Sequence, residues 1–113
     1  MTIYISQGRY TREAIHGMVN NPEDRTEAVR ALCESAGARL IAHYVTLGEY
    51  DFLAIIEAEG PATDMLAALF AVAATGGVTD MKTTMAMSSR DARPAMEKAQ
   101  SMMKGFRPAG QRS

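Results

Sequence analysis

The run His43-Tyr44-Val45-Thr46-Leu47-Gly48-Glu49-Tyr50-Asp51-Phe52-Leu53-Ala54-Ile55-Ile56-Glu57 decides the fold. β-branched and aromatic residues crowd both of its halves, and a short polar segment bearing Gly48 separates them, the pattern of two antiparallel strands joined by a hairpin. Extended outward, Ala38–Leu47 reads as one strand, with Leu40, Ala42 and Tyr44 on one side and Arg39, Ile41, His43 and Val45 on the other. Asp51–Ala58 reads as the next, with Phe52, Ala54 and Ile56 opposing Leu53 and Ile55. Both strands are apolar on both sides. Helices that cover one face of such a sheet leave the second face bare, so the pattern predicts cover by a partner subunit.

On the amino-terminal side, Thr2–Arg9 alternates as a strand whose Ile3 and Ile5 are expected to face the helices. Thr11 is placed to cap a helix with Ala14, Ile15, Met18 and Val19 as a buried stripe. Asn20-Asn21-Pro22 interrupts it, and Asn21 as cap with Pro22 in the first turn predicts an immediate restart. The second segment, apolar at Ala28, Val29, Leu32, Cys33 and Ala36, stops at Gly37, so the pair reads as one kinked crossover element. On the carboxyl-terminal side, Pro61 opens a helix carrying Met65, Leu66, Leu69 and Phe70 that ends at Gly76-Gly77, and Val78–Met87 alternates as a half-exposed fourth strand.

The order predicts an α+β, ferredoxin-like βαββαβ fold: a four-stranded antiparallel sheet with two helices on one face, plus a C-terminal helical tail. The expected division is a domain over residues 1–88 and a tail over 89–113, with a short helix from about 94 to 104, opened by Pro94, and a disordered end.

Composition narrows the partners. The chain has 113 residues, with 12 basic and 13 acidic side chains and a formal net charge of −1, which argues against a nucleic-acid backbone as partner. No apolar run has the length of a membrane span, and Met1–Ser6 lacks the pattern of a secretory signal, so the expectation is a cytoplasmic protein without membrane contact. Cys33 is the only cysteine, no Cys/His spacing fits a metal, and no cofactor is expected. Glycine-rich nucleotide loops, zinc-protease helices and nucleophile elbows are absent as motifs.

The segment Tyr44 to Ala58, with Gly48-Glu49-Tyr50-Asp51 at its centre and an early strand ending in Tyr10-Thr11, resembles the GYD-domain family of small bacterial proteins. Glu49 stands between the glycine and the tyrosine of the bare name. The resemblance spans residues 2 to about 88 and implies a ferredoxin-like fold of the dimeric α/β-barrel type. It transfers no catalytic residue.

The candidate ligand-binding residues are therefore His43, Tyr44, Gly48, Tyr50 and Asp51. Turn chemistry alone accounts for three of them: Gly48 suits a positive φ, Asp51 can accept backbone amides, and Tyr50 can cover the turn. A phenol and a carboxylate at a cleft mouth can equally hold a small polar ligand. His43, lone among apolar neighbours, reads either as a packing residue or as an acid/base, and Tyr44 either as a strand former or as a cavity wall.

Three functions fit these residues. The first is an oligomeric binding or regulatory module that holds a small molecule or a protein partner at sheet faces or subunit clefts. The second is a cofactor-independent monooxygenase or isomerase using an enclosed cavity. The third is an assembly or cargo protein docking through its methionine-bearing tail, where Met96, Met102 and Met103 form adaptable apolar surface.

Overall fold

In a computed structural model, which describes residues 1–111, the elements run β1 (Thr2–Tyr10), α1 (Arg12–Asn20), α2 (Thr26–Ser35), β2 (Ala38–Val45), β3 (Phe52–Ala58), α3 (Ala62–Ala74), β4 (Val78–Ala86) and α4 (Ser89–Gly105). All strand pairs are antiparallel, and the sheet order is β2-β3-β1-β4. The fold is the ferredoxin-like α+β arrangement, with a C-terminal helix added. Its core is Tyr4, Cys33, Leu40, Ala54, Ile56, Ala58 and Met65, gathered between the sheet and α2 and α3. Among the described residues no large side chain is fully buried, so the helical layer covers the sheet thinly.

The crossover is two separate helices. Thr11 caps α1 as expected, its hydroxyl accepting the Ala14 amide at 3.2 Å. Asn21, however, closes α1 instead of opening α2, and the chain runs through Pro22–Arg25 before Asp24 accepts the Thr26 amide at 2.9 Å. A carboxylate two residues ahead of the first helical amide satisfies that donor, which moves the start past Pro22. α1 also fails to bury its predicted stripe: Ala14 and Met18 are half-buried, while Ile15 and Val19 are exposed.

Two strands turn other faces to the helices than expected. In β1 it is Tyr4, Ser6 and Gly8 that are buried under the helices, so Ile3 and Ile5 point to the open face, the reverse of the expected orientation. With apolar residues available on both sides, alternation cannot tell inside from outside, and the small Ser6 and Gly8 fit beneath the helical layer. Ser6 is satisfied there by the Thr83 hydroxyl at 2.9 Å. In β2, Leu40 pairs with Ile56 but Ala42 pairs with Ile55, leaving Ile41 as an extra residue. This bulge breaks the expected grouping of Leu40, Ala42 and Tyr44. Leu40 and His43 share the helical side, whereas Ala42 and Tyr44 lie on the open face.

A second bulge lies between β1 and β4, where Gln7 pairs with Lys82 and Arg9 with Thr79. Asp80 takes a φ of 52° in it, and Val78 and Met81 thereby come to face the helices together.

α4 begins at Ser89, capped by the Ser88 hydroxyl accepting the Asp91 amide at 3.0 Å, and Pro94 lies inside it. The start expected at Pro94 is thus displaced toward the amino terminus, because the Ser88 cap sets it. Every residue of α4 except Ala92 is exposed. The helix projects from the body: the molecule measures 65 × 31 × 22 Å, and its radius of gyration is 18.8 Å. A compact chain of this length would have a radius near 13 Å. Of the end expected to be disordered, residues 112 and 113 lie outside the described residues.

Candidate functional site

The loop between β2 and β3 is fastened to the end of β1. The Thr46 amide donates to the Asp51 carbonyl at 2.8 Å, and the Thr46 hydroxyl donates to the Tyr50 carbonyl at 2.7 Å, which close the loop on itself. The Asp51 amide donates to the Gly8 carbonyl at 2.8 Å, and the Asp51 carboxylate accepts the Tyr10 amide at 2.9 Å. Arg9 completes the clasp: its Nε donates to the Glu49 carbonyl at 2.7 Å, its guanidinium lies 5.6 Å from the Tyr50 ring centre, and Asp80 pairs with it at 3.4 Å. Gly48 has a φ of +146°, a backbone conformation that side chains disfavour.

Beside this clasp are two adjoining spaces. One is a cavity of about 130 Å³ between the sheet and α2 and α3, walled mainly by apolar groups such as Val29, Ala54, Ile56, Met65 and Leu69. The other is a cleft of about 340 Å³ rimmed by Asp24, Arg25, Thr26, Thr46 and Asp51. Tyr10, Arg25 and His43 line both, so they stand at the junction.

The Ile41 bulge is what turns His43 inward to this junction. Its Nδ1 lies 3.5 Å from the Thr26 hydroxyl. Burial pushes the imidazole below its ordinary value; Asp24 works against that shift and Arg25 adds to it. Burial pushes the Tyr10 phenol up, opposed by Arg25 and reinforced by Asp51 and Glu23. Both groups are thereby held neutral around pH 7, a donor and acceptor pair at the neck of an apolar cavity.

Of the sequence candidates, the structure brings together His43 and Asp51, and the Asp51 carboxylate is already engaged by Tyr10. Tyr44 is 59% exposed on the opposite, open face of the sheet. Gly48 sits at the exposed loop tip, and Tyr50 packs against Arg9. None of these three lines the cavity or the cleft. The residues that sequence reasoning misses are Tyr10, Arg25 and Thr26. The signal for the last two is the charged run Glu23-Asp24-Arg25 in an interhelical connection, the type of segment that carries binding groups. Among the described residues no cluster of three or more His, Cys, Asp or Glu is arranged to hold a metal ion, and no helix is long and apolar enough to cross a membrane.

Sheet order, crossover helices and the fastened loop together define a ferredoxin-like α+β domain of the kind built around a Gly-x-Tyr-Asp hairpin. The chain belongs to the GYD domain family, which matches residues 4–96 and so reaches into the first half of α4. Over 81 residues it is 35% identical to the glutamine synthetase and cystathionine beta-lyase binding protein of Thermus thermophilus, covering 72% of this chain and 84% of that protein. A solved structure, the crystal structure of FFRP-DM1, is similar at a TM-score of 0.46 and 15% identity, over 77% of this chain and 100% of that one.

Proposed function

We propose that the protein is a cytoplasmic, oligomeric binding module that acts by associating with a metabolic enzyme, two copies being joined through the open sheet face. The observation that carries this reading is the bare apolar face itself. Ile3, Ile5, Ala42, Leu53 and Ile55 lie there with Tyr44, and no element among the described residues covers them. Such a continuous apolar surface on a small domain marks an association site. The relative named as a binding protein for two enzymes supports an enzyme as the further partner.

The test is sedimentation equilibrium of the wild-type chain and of Ile55→Asp, followed by titration of each against a purified glutamine synthetase and a purified cystathionine beta-lyase. The expected result is self-association of the wild type that Ile55→Asp weakens, and saturable binding of the wild type to one of the enzymes. A chain that stays monomeric and binds neither enzyme overturns the reading.

A second reading, favoured by the cavity, is that the same module holds a small molecule. Its volume of about 130 Å³ is close to that of an engineered apolar cavity that takes up benzene. An occupant would be about one ring in size, with its polar group at Tyr10 and His43. Native mass spectrometry of the freshly purified protein tests this: a bare polypeptide mass, with no ring-sized compound raising the thermal midpoint, would dismiss it.

A further inference from the structure

The tail helix is the part of the molecule that the sheet face and the cavity do not explain. At 100° per residue, Ala92, Ala95, Met96, Ala99, Met102 and Met103 fall on one side of α4, and the charged residues Arg90, Arg93, Glu97 and Lys104 on the other. The stripe is uncovered: Met96, Met102 and Met103 are 60–75% exposed. A single helix of this length is marginal in water unless its apolar side is packed.

A matching surface exists on α3. Only Thr63 and Asp64 among its 13 residues are polar, and beyond the buried Met65 it displays Leu66 and Phe70, 48% and 67% exposed. The stripe from Ala92 to Met103 is about 17 Å long and α3 about 18 Å, so the two are matched in length. Charge complementarity identifies the occupant. Residues 1–88 hold six basic and eleven acidic side chains, whereas residues 89–113 hold six basic and two acidic. An acidic body and a basic arm attract across copies. Laid antiparallel, α4 brings Arg107, beyond the end of the helix, toward the exposed Glu59 and Asp64 at the start of α3.

We propose that α4 is an exchange arm, whose apolar stripe docks antiparallel across the Leu66–Phe70 face of α3 in a second copy of this chain. Because α4 is exposed at every residue but Ala92, its stripe is not packed on its own α3, and its partner is another copy. The contact is separate from the open sheet face and stands whether or not that face pairs.

The test uses two full-length copies distinguishable in size, both carrying Cys33→Ala so that no native thiol interferes. One bears Phe70→Cys, the other Met96→Cys, and the mixture is oxidised. The expected result is a disulfide between copies of different size, and none when Ser101→Cys, on the polar side of α4, replaces Met96→Cys. Sedimentation of Phe70→Glu and of Met96→Glu, with helix content checked by circular dichroism, is expected to show self-association through the arm weakened at least tenfold. Ile55→Asp leaves the Phe70–Met96 disulfide intact, which separates this contact from the sheet interface. No disulfide between copies of different size, or equal trapping through Ser101→Cys, would overturn the proposal.

Discussion

The carboxylate of Asp51 accepts the backbone amide of Tyr10 at 2.9 Å, joining positions 41 residues apart in the chain. The bond continues the pairing of β1 beyond the end of β3, with a side chain standing in for a backbone carbonyl. Hydrogen bonds to charged acceptors contribute about 1.5–3 kcal/mol, so Asp51→Ala is expected to cost about that much. The corresponding drop in thermal midpoint is roughly 6–20 °C. Asp51→Asn, which retains a carbonyl acceptor, is expected to lose less. Calorimetry of the three proteins checks the order.

Stability is expected to fall as the solution is acidified through the histidine range. Burial holds His43 below its ordinary value of 6.5, so the unfolded chain takes up this proton first. The contribution is therefore complete above pH 6.5 and declines as the pH drops toward the folded-state value. Asp24, held below its ordinary value by hydrogen bonds from Thr26, adds a further loss only under about pH 4. Urea midpoints between pH 5 and 8 are expected to be flatter for His43→Gln than for the wild type.

Gly8 is a packing glycine. A Cβ there would stand 2.7 Å from the end of the Phe52 ring, which is buried and rests 5.2 Å from the Tyr10 ring. Gly8→Ala is thus expected to destabilise by about 1–3 kcal/mol, the usual cost of overpacking. Phe52→Leu opens the space, and the double variant is expected to be more stable than the sum of the single effects. A double-mutant cycle by urea unfolding measures that coupling.

Cys33 projects from α2 into the core, and burial pushes its thiol up from the ordinary cysteine value. A buried thiol that resists ionisation reacts slowly. Labelling by a disulfide reagent at pH 8 is expected to be much slower for the native protein than for the urea-unfolded chain, as followed by absorbance.

The element order is legible because hydrophobic periodicity and turn residues agree along most of the chain. Thr11, Gly37 and Gly76-Gly77 mark helix ends in the sequence as they do in the structure. What cannot be read is phase. Nothing in Arg39-Leu40-Ile41-Ala42-His43 distinguishes an extra residue from a paired one, since a bulge is settled by the neighbouring strand. His43 can therefore be singled out, but the face it occupies cannot. Alternation misplaces Ile3 and Ile5 for a related reason: their outward face is as apolar as a core. Tyr10, Arg25 and Thr26 reach one junction from three elements, a meeting that only the crossover geometry creates.

The strand order leaves β2 and β4 as the two margins of the sheet, and each carries one of the bulges, at Ile41 and at Asp80. Regular, flat margins invite further strands and lead toward open-ended fibres, whereas a kinked margin presents its amides out of step to an incoming chain. The residues that aim His43 inward and seat Asp80 beside Arg9 thereby also guard against runaway sheet growth. Straightening either margin, by deleting Ile41 for instance, would reverse the outlook of neighbouring side chains and expose a template for aggregation in one stroke.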